Sequence, residues 1–440
     1  MKKIISIFLS ALLLTLCFTA CGKKTPEPIS EDVAKEKAAA HSQMFIQGKF
    51  DEVIADCNDK VKKQITAQAL SEAWAQVTAQ AGEYESVIST ETALKDGTVG
   101  VVMTLKFEKV GVALTLNYDV DGKINGLWVK NAPIAAPLEE TDLYVESKIE
   151  IGEYKLNGVL TTPKNVKDYP VVVFVQGSGA SDCDETIGKA MNKPFKQISD
   201  ALAKQGIATV RFNKRFYQSP QSVSKNPTIY EEYMDDVKWA IDWAVKNVSD
   251  DVYVLGHSQG AMSAPKIAAD SPQVDGIIML AGTTRGLEDV ILDQNISSIE
   301  DMDITDTEKK AYLKNVKDEV EKVKNLKTDD GSTILGINAG YWISLKTLEG
   351  EKLLKNIDIP VLILQGEKDF QVSYEKDFMM MKDMLKDNDE ITFNSYENLT
   401  HLFMPQTLKG DKIDITEYDT KNEIPQVVTD DIGKWILADK

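Results

Sequence analysis

From about Leu143 onward, short apolar runs alternate with helical patterns, and this alternation limits the possible folds more than any other feature of the chain. Val171–Val175 is apolar throughout, and Ile207–Phe212, Val252–Leu255, Gly276–Leu280 and Val361–Leu364 are nearly so. Strands of this kind need cover on both faces. The intervening helical patterns Lys193–Gln205, Tyr230–Val245, Gln259–Ala269 and Tyr374–Leu385 supply it. A strand at Ile391–Tyr396 and a helix at Gln426–Leu437 close the chain. The expected class is α/β: a mostly parallel, doubly wound sheet that begins with the strand pair Tyr144–Ile151 and Tyr154–Thr161. Right-handed crossovers bring the C-terminal ends of parallel strands to one edge, where sites form. One segment, about 285–352, interrupts the alternation between Leu280 and Val361. It is helical and strongly charged, and its place predicts a cap over that edge.

Residues 31–135 follow a different pattern. Helical periods at Val33–Gln47, Phe50–Lys63 and Ala67–Gln80, with Trp74 facing inward, precede period-two runs at Tyr84–Leu94, Val99–Val110, Val112–Val120 and Ile124–Val129. Turn signals at Asp96-Gly97, Gly111 and Asp121-Gly122 separate the runs. Helices followed by an antiparallel meander make a small α+β domain. The Ala/Pro-rich stretch from Ala132 to Pro137 marks the way to a linker, taken as 136–143, and the second domain spans 144–440.

The N-terminus reads as an address. Lys2 and Lys3 precede an apolar run from Ile4 to Leu16, too short for a bilayer span of about 20 residues and suited to a secretory signal. Small residues before a cysteine resemble the lipobox of bacterial lipoproteins. Cys17 follows the bulky Leu16, whereas Cys21 follows Ala20, so Cys21 is the expected lipidation site, although Phe18 stands where that motif commonly has Leu. A plain secretory signal cut near Ala20 is the alternative. Residues 1–20 are then a signal peptide, and 21–30, with Pro26 and Pro28, a tether. The mature protein is expected outside the cytoplasm, held to the bacterial membrane by its lipid alone. Cys57 and Cys183 remain, in different domains, and whether they pair is left open.

Acids outnumber bases by 69 to 50, a formal charge of −19. That sign disfavours nucleic acid as a partner. No Cys-x-x-Cys or His-x-x-x-His occurs, and no spacing implies a metal or organic cofactor.

Gly256-His257-Ser258-Gln259-Gly260 is the single Gly-x-Ser-x-Gly in the chain. It follows one strand and opens a helix, the setting of a nucleophile elbow. A serine hydroxyl is a poor nucleophile without an adjacent base. Of three histidines, His41 lies in the first domain and is expected on the surface. His257 neighbours Ser258, and an elbow points consecutive side chains apart. His401, in the loop after Ile391–Tyr396, is left as the base. Its acid is expected at Asp369, just past strand Val361–Leu364, with Glu367 as the rival. Oxyanion donors are expected from the backbone N–H of Gln259 and, in the loop Gln176-Gly177-Ser178-Gly179, of Ser178.

These residues resemble the α/β-hydrolase superfamily, and more narrowly the secreted bacterial esterases of the EstD type. The likeness rests on Pro170 to Gly179, Asp184-Glu185-Thr186-Ile187, Lys193-Pro194-Phe195, Gly256 to Gly260 with Ala264-Pro265, Gly366-Glu367-Lys368-Asp369 and Leu399 to Phe403, and it covers about 144–440. Residues 30–135 are similar to the small domain of unknown function that often precedes such hydrolases. The resemblance implies carboxylester hydrolysis with Ser258, Asp369 and His401 as a triad. Gln259, Ala261, Cys183 and the stretch Asn213-Lys214-Arg215-Phe216 depart from the family pattern, which leaves the substrate open. The implied partner is a small-molecule ester; the oligomeric state is not readable. A thioesterase, or an aminopeptidase with acidic groups placed for a substrate ammonium, is the alternative within this chemistry. A non-catalytic lipoprotein binding cell-envelope material is the alternative outside it.

Overall fold

In the computed structural model the described residues are 28–95, 97–108, 111–132, 138–299, 302, 304–408 and 414–438. The expected signal segment, Cys21 and the start of the expected linker lie outside them. The chain divides into two compact units that part between Ile134 and Ala135. Among the described residues no helix is long and apolar enough to cross a membrane.

In the first unit Ser30 caps helix Glu31–Ile46, its hydroxyl accepting from the Val33 N–H. Helices Phe50–Ala55, Asp59–Lys62 and Ala67–Ala81 follow, then an antiparallel sheet in sequential order: β1 (Tyr84–Lys95), β2 (Thr98–Phe107), β3 (Gly111–Tyr118) and β4 (Ile124–Ala132). The helix expected over 50–63 is broken at Asp56–Asn58. There the backbone bridges to Ile124, with Asn58 N–H donating to Ile124 O at 2.9 Å and Ile124 N–H to Asp56 O at 3.0 Å. Asn58 then caps the next turn through Val61 N–H.

His41 is not on the surface. It is 2% exposed, on the buried stripe Ala34, Ala38, His41, Ser42, Phe45 of the first helix. Its Nδ1 meets the Tyr118 hydroxyl at 2.9 Å and its Nε2 meets Asp56 Oδ2 at 3.1 Å. The i, i+4, i+7 spacing from Ala34 is that of a core face, and a satisfied polar group can sit on one.

The second unit has the α/β-hydrolase fold. Its strands are β5 (Tyr144–Ile151), β6 (Leu156–Pro163), β7 (Val171–Val175), β8 (Ala208–Phe212), β9 (Val252–His257) and β10 (Gly276–Leu280), then a small hairpin β11 (Thr333–Ile334) and β12 (Ile337–Asn338), then β13 (Val361–Gly366) and β14 (Ile391–Tyr396). The main sheet runs β14-β13-β10-β9-β7-β8-β6-β5. It is parallel from β14 to β8 and antiparallel from β8 through β6 to β5. Alternate side chains of one strand enter opposite cores: Val171, Val173 and Val175 on one face, Val172 and Phe174 on the other. Helices Asp235–Asn247 and Gln259–Asp270 cover the first face, and helices Pro194–Lys204 and Gln426–Ala438 the second. The segment between β10 and β13 carries helices Leu287–Ile299 and Asp306–Asn325, the β11–β12 hairpin, and helices Ala339–Leu345 and Gly350–Lys355. Both Cys57 and Cys183 are free thiols.

Candidate active site

Ser258 stands between β9 and helix Gln259–Asp270 with φ 55° and ψ −118°. A non-glycine residue in this region is strained and persists only where its surroundings dictate it. Two glycines make the turn possible. A Cβ on Gly256 would lie 2.4 Å from Gly260 O, and one on Gly260 would lie 2.3 Å from Val175 O. The elbow is therefore pressed against both its own helix and β7. Ser258 N–H is spent on Leu280 O at 2.8 Å, at the end of β10. Its hydroxyl makes no hydrogen bond among the described residues.

The structure brings Asp369 and His401 together, with Asp369 Oδ2 2.7 Å from His401 Nδ1. The carboxylate is fully buried and its remaining capacity is filled. Gln365 Nε2 donates to Oδ2 at 2.8 Å, and the N–H groups of Gln371 and Val372 donate to Oδ1 at 2.8 and 2.9 Å. Bound to a carboxylate, Nδ1 carries the proton and Nε2 is left as the basic nitrogen. Glu367 is engaged elsewhere, accepting from the Ser395 hydroxyl at 2.7 Å. His401 is held beside the elbow by His257. The His257 Nε2–H donates to His401 O at 2.9 Å, and the two ring centroids are 4.7 Å apart.

The loop after β7 is pinned at three points around Ser178. Gly177 N–H donates to Glu185 Oε1 at 2.5 Å, Gly177 O accepts from Lys214 Nζ at 2.9 Å, and Gly179 N–H donates to Glu232 Oε1 at 2.8 Å. Among the described residues the N–H groups of Ser178 and Gln259 have no acceptor. Both residues border the same cavity as Ser258. Gln259 also opens a helix, where the dipole favours a developing negative charge.

That cavity has a volume of about 410 Å³. Met262, Val372 and the cap residues Leu287, Val290, Ile291 and Ile337 give it an apolar wall, and Gln294, Asn338 and Tyr341 of the cap add polar groups. Glu232 is its carboxylate, but a fully committed one. It binds Lys214 Nζ at 2.6 Å, Gly179 N–H, and the Tyr341 hydroxyl. Lys214 is buried and sits 3.9 Å over the Tyr233 ring. Burial lowers its ammonium below the ordinary lysine range, against the pull of Glu232. Gln259 Nε2 donates to the Tyr341 hydroxyl at 2.9 Å and so ties the cap to the elbow.

Sequence reasoning passed over Gln365, Glu185, Lys214 and Glu232, and considered His257 only as a possible base. Glu185 and Lys214 do stand in stretches that carry or break the family likeness; no spacing marks Glu232 or Gln365. Among the described residues no group of His, Cys, Asp and Glu could hold a metal ion.

Residues 191–406 match the family described as serine aminopeptidase, S33, and residues 38–127 match a protein family of unknown function, DUF3887. Esterase EstD of Thermotoga maritima is 29% identical over 408 residues, covering 91% of this chain and 95% of that protein. Est1E from Butyrivibrio proteoclasticus is a solved structure with TM-score 0.42 and 18% identity, over 67% of this chain and 98% of its own. The Pyrococcus furiosus esterase Pf2001 gives TM-score 0.41 and 15% identity, over 67% and 90%.

Proposed function

We propose that this α/β-hydrolase of the carboxylesterase type hydrolyses small carboxylic esters through an acyl-enzyme on Ser258. One observation carries the reading: a strained serine at a strand-to-helix elbow stands beside a buried Asp369–His401 pair, with two unengaged N–H groups bordering the same cavity. His401 Nε2 takes the Ser258 proton as Oγ attacks the ester carbonyl carbon. The N–H groups of Ser178 and Gln259 receive the oxyanion; one such donor is worth about 3–4 kcal/mol in barrier height. Collapse breaks the bond to the alcohol oxygen, which takes the proton from His401. Water, deprotonated by the same nitrogen, then releases the acid.

The similarity to Esterase EstD supports an ester substrate, and the apolar cap wall suits an uncharged acyl group. An aminopeptidase would need a carboxylate free to bind a substrate ammonium. Glu232, the carboxylate bordering the cavity, is already neutralised by Lys214, which favours the ester over the peptide.

Treating residues 21–440 with a fluorophosphonate is expected to leave a single adduct on Ser258, and His401→Ala to abolish it. A panel of p-nitrophenyl acyl esters is expected to be cleaved, and amino-acid p-nitroanilides not. Adduct-free folded protein, or faster cleavage of the anilides, would overturn the reading. The enzyme is further proposed to be anchored outside the cytoplasmic membrane through diacylated Cys21, two chains being enough for stable anchoring. Cys21→Ser is expected to abolish palmitate labelling of the expressed protein; retained label would sink the anchor.

A further inference from the structure

His257 is buried, and both its ring nitrogens face acceptors. Nδ1 lies 3.0 Å from Glu185 Oε1 and Nε2 lies 2.9 Å from His401 O. Between a carboxylate and a carbonyl, a ring donates on both sides only as imidazolium. Burial acts to strip that proton, but the Glu185 carboxylate and the His401 carbonyl outweigh it and hold His257 above the ordinary imidazole range. The other titratable groups facing the pair are Asp369, Lys214, Tyr233 and Tyr418, together with the His401 ring, its centroid 4.7 Å from that of His257.

Glu185 is delivered by an over-determined turn. Its φ is 53°, and Asp182 below it accepts from the N–H groups of Asp184 at 3.2 Å and Thr186 at 2.8 Å. Asp184 is tied to Arg211 and to Lys193, and Cys183 N–H donates to Asn213 Oδ1 at 2.8 Å. From this anchor, one oxygen of Glu185 does two things: it accepts from His257 and from Gly177 N–H. Its other oxygen is buried with no partner.

We propose that Glu185 and His257 are a positioning pair that holds the nucleophile, the base and one oxyanion donor in register. Ser258 is covalently next to His257. The main chain of His401 hangs on the His257 ring. The loop that presents Ser178 hangs on Glu185. Neither side chain takes part in bond making, and a buried ion pair is weak as a stabilising device. What it fixes is the relative position of three groups on three different loops, where a displacement of about 1 Å can cost about 100-fold in rate.

The inference rests on the serine-hydrolase reading, so parent enzyme and variants are measured together on one p-nitrophenyl ester, with circular dichroism and thermal unfolding to establish the fold. Glu185→Gln and His257→Gln are each expected to lower kcat about 10- to 100-fold, with KM within about twofold. Because the pair acts as a unit, the double variant is expected to lose no more than either single one. If Glu185→Gln does not fold, Glu185→Asp keeps the charge, withdraws the carboxylate by one methylene, and is expected to give the same split. Folded variants with kcat within about twofold of the parent, an effect on KM alone, or single losses that multiply in the double variant would each refute the pair's role. A parent that neither reacts with fluorophosphonate nor cleaves esters would instead fell the hydrolase reading, and this inference with it.

Discussion

Asp369 shows how much a single atom position can decide. Its Oδ1 is claimed by two backbone N–H groups, Gln371 and Val372, and its Oδ2 by His401 and Gln365. In Asp369→Asn the amide oxygen stays with the two backbone donors, which places the NH₂ opposite His401 Nδ1. The imidazole must then accept at Nδ1 and carry its proton on Nε2, the tautomer that cannot act as base. A loss of about 10⁴ in kcat is expected, the magnitude known for a triad whose acid is made an amide, with the protein still folded. Steady-state kinetics on a p-nitrophenyl ester checks it; a loss under about tenfold would show that His401 takes its orientation from elsewhere. The candidate triad could be picked out because each proposed member stands at an element boundary: Ser258 after one strand, Asp369 after another, His401 in the loop behind a third, with so few histidines that elimination left one choice of base. Glu185, Lys214 and Glu232 were not legible as site residues. Their partners lie 72, 37 and 53 residues away at His257, Gly177 and Gly179, and no local period records a contact of that kind.

Among the elements, the elbow helix and the cap depend on each other through one hydroxyl. Tyr341 donates to Glu232 and accepts from Gln259, so a cap residue completes the shell around the elbow and the loop after β7. Tyr341→Phe removes both bonds at nearly constant volume and leaves a buried carboxylate oxygen short of a donor, at a cost of about 1–3 kcal/mol. The expected outcome is a lower Tm together with a raised KM for esters, read by thermal unfolding and kinetics; an unchanged KM would mean that the cap wall is held by its apolar packing alone. Strands β7 to β10 and β13 were legible because they are buried on both faces, which short and nearly unbroken apolar runs report directly. The break at Asp56–Asn58 was not, because its cause is a backbone bridge to Ile124, which leaves no trace in hydrophobic spacing. His41 was misplaced for a related reason: its residue type suggests surface, while its position on the Ala34–Ala38–Phe45 stripe places it inside.

Across the whole molecule, two buried histidines contribute to stability with opposite dependence on pH. In the first unit, burial holds His41 below its ordinary value despite Asp56, so the folded unit keeps a neutral ring that the unfolded chain would protonate. Its contribution is present above the unfolded value of about 6.5 and is lost as pH falls below it, because the unfolded state then binds the extra proton. In the second unit, His257 is held above its ordinary value by Glu185 and the His401 carbonyl, against burial. Its contribution is complete below about 6.5 and fades as pH rises through the raised folded value. Thermal unfolding of the parent, His41→Gln and His257→Gln at several pH values between about 5 and 9 separates the two terms, since neither glutamine titrates. The Tm gap between parent and His41→Gln is expected to widen from pH 5 to pH 7, and the gap between parent and His257→Gln to narrow toward pH 9. Gaps that move in the same direction would mean that one histidine has the wrong charge state in the folded protein. A His257 gap that does not change with pH would leave no imidazolium for Glu185 to hold.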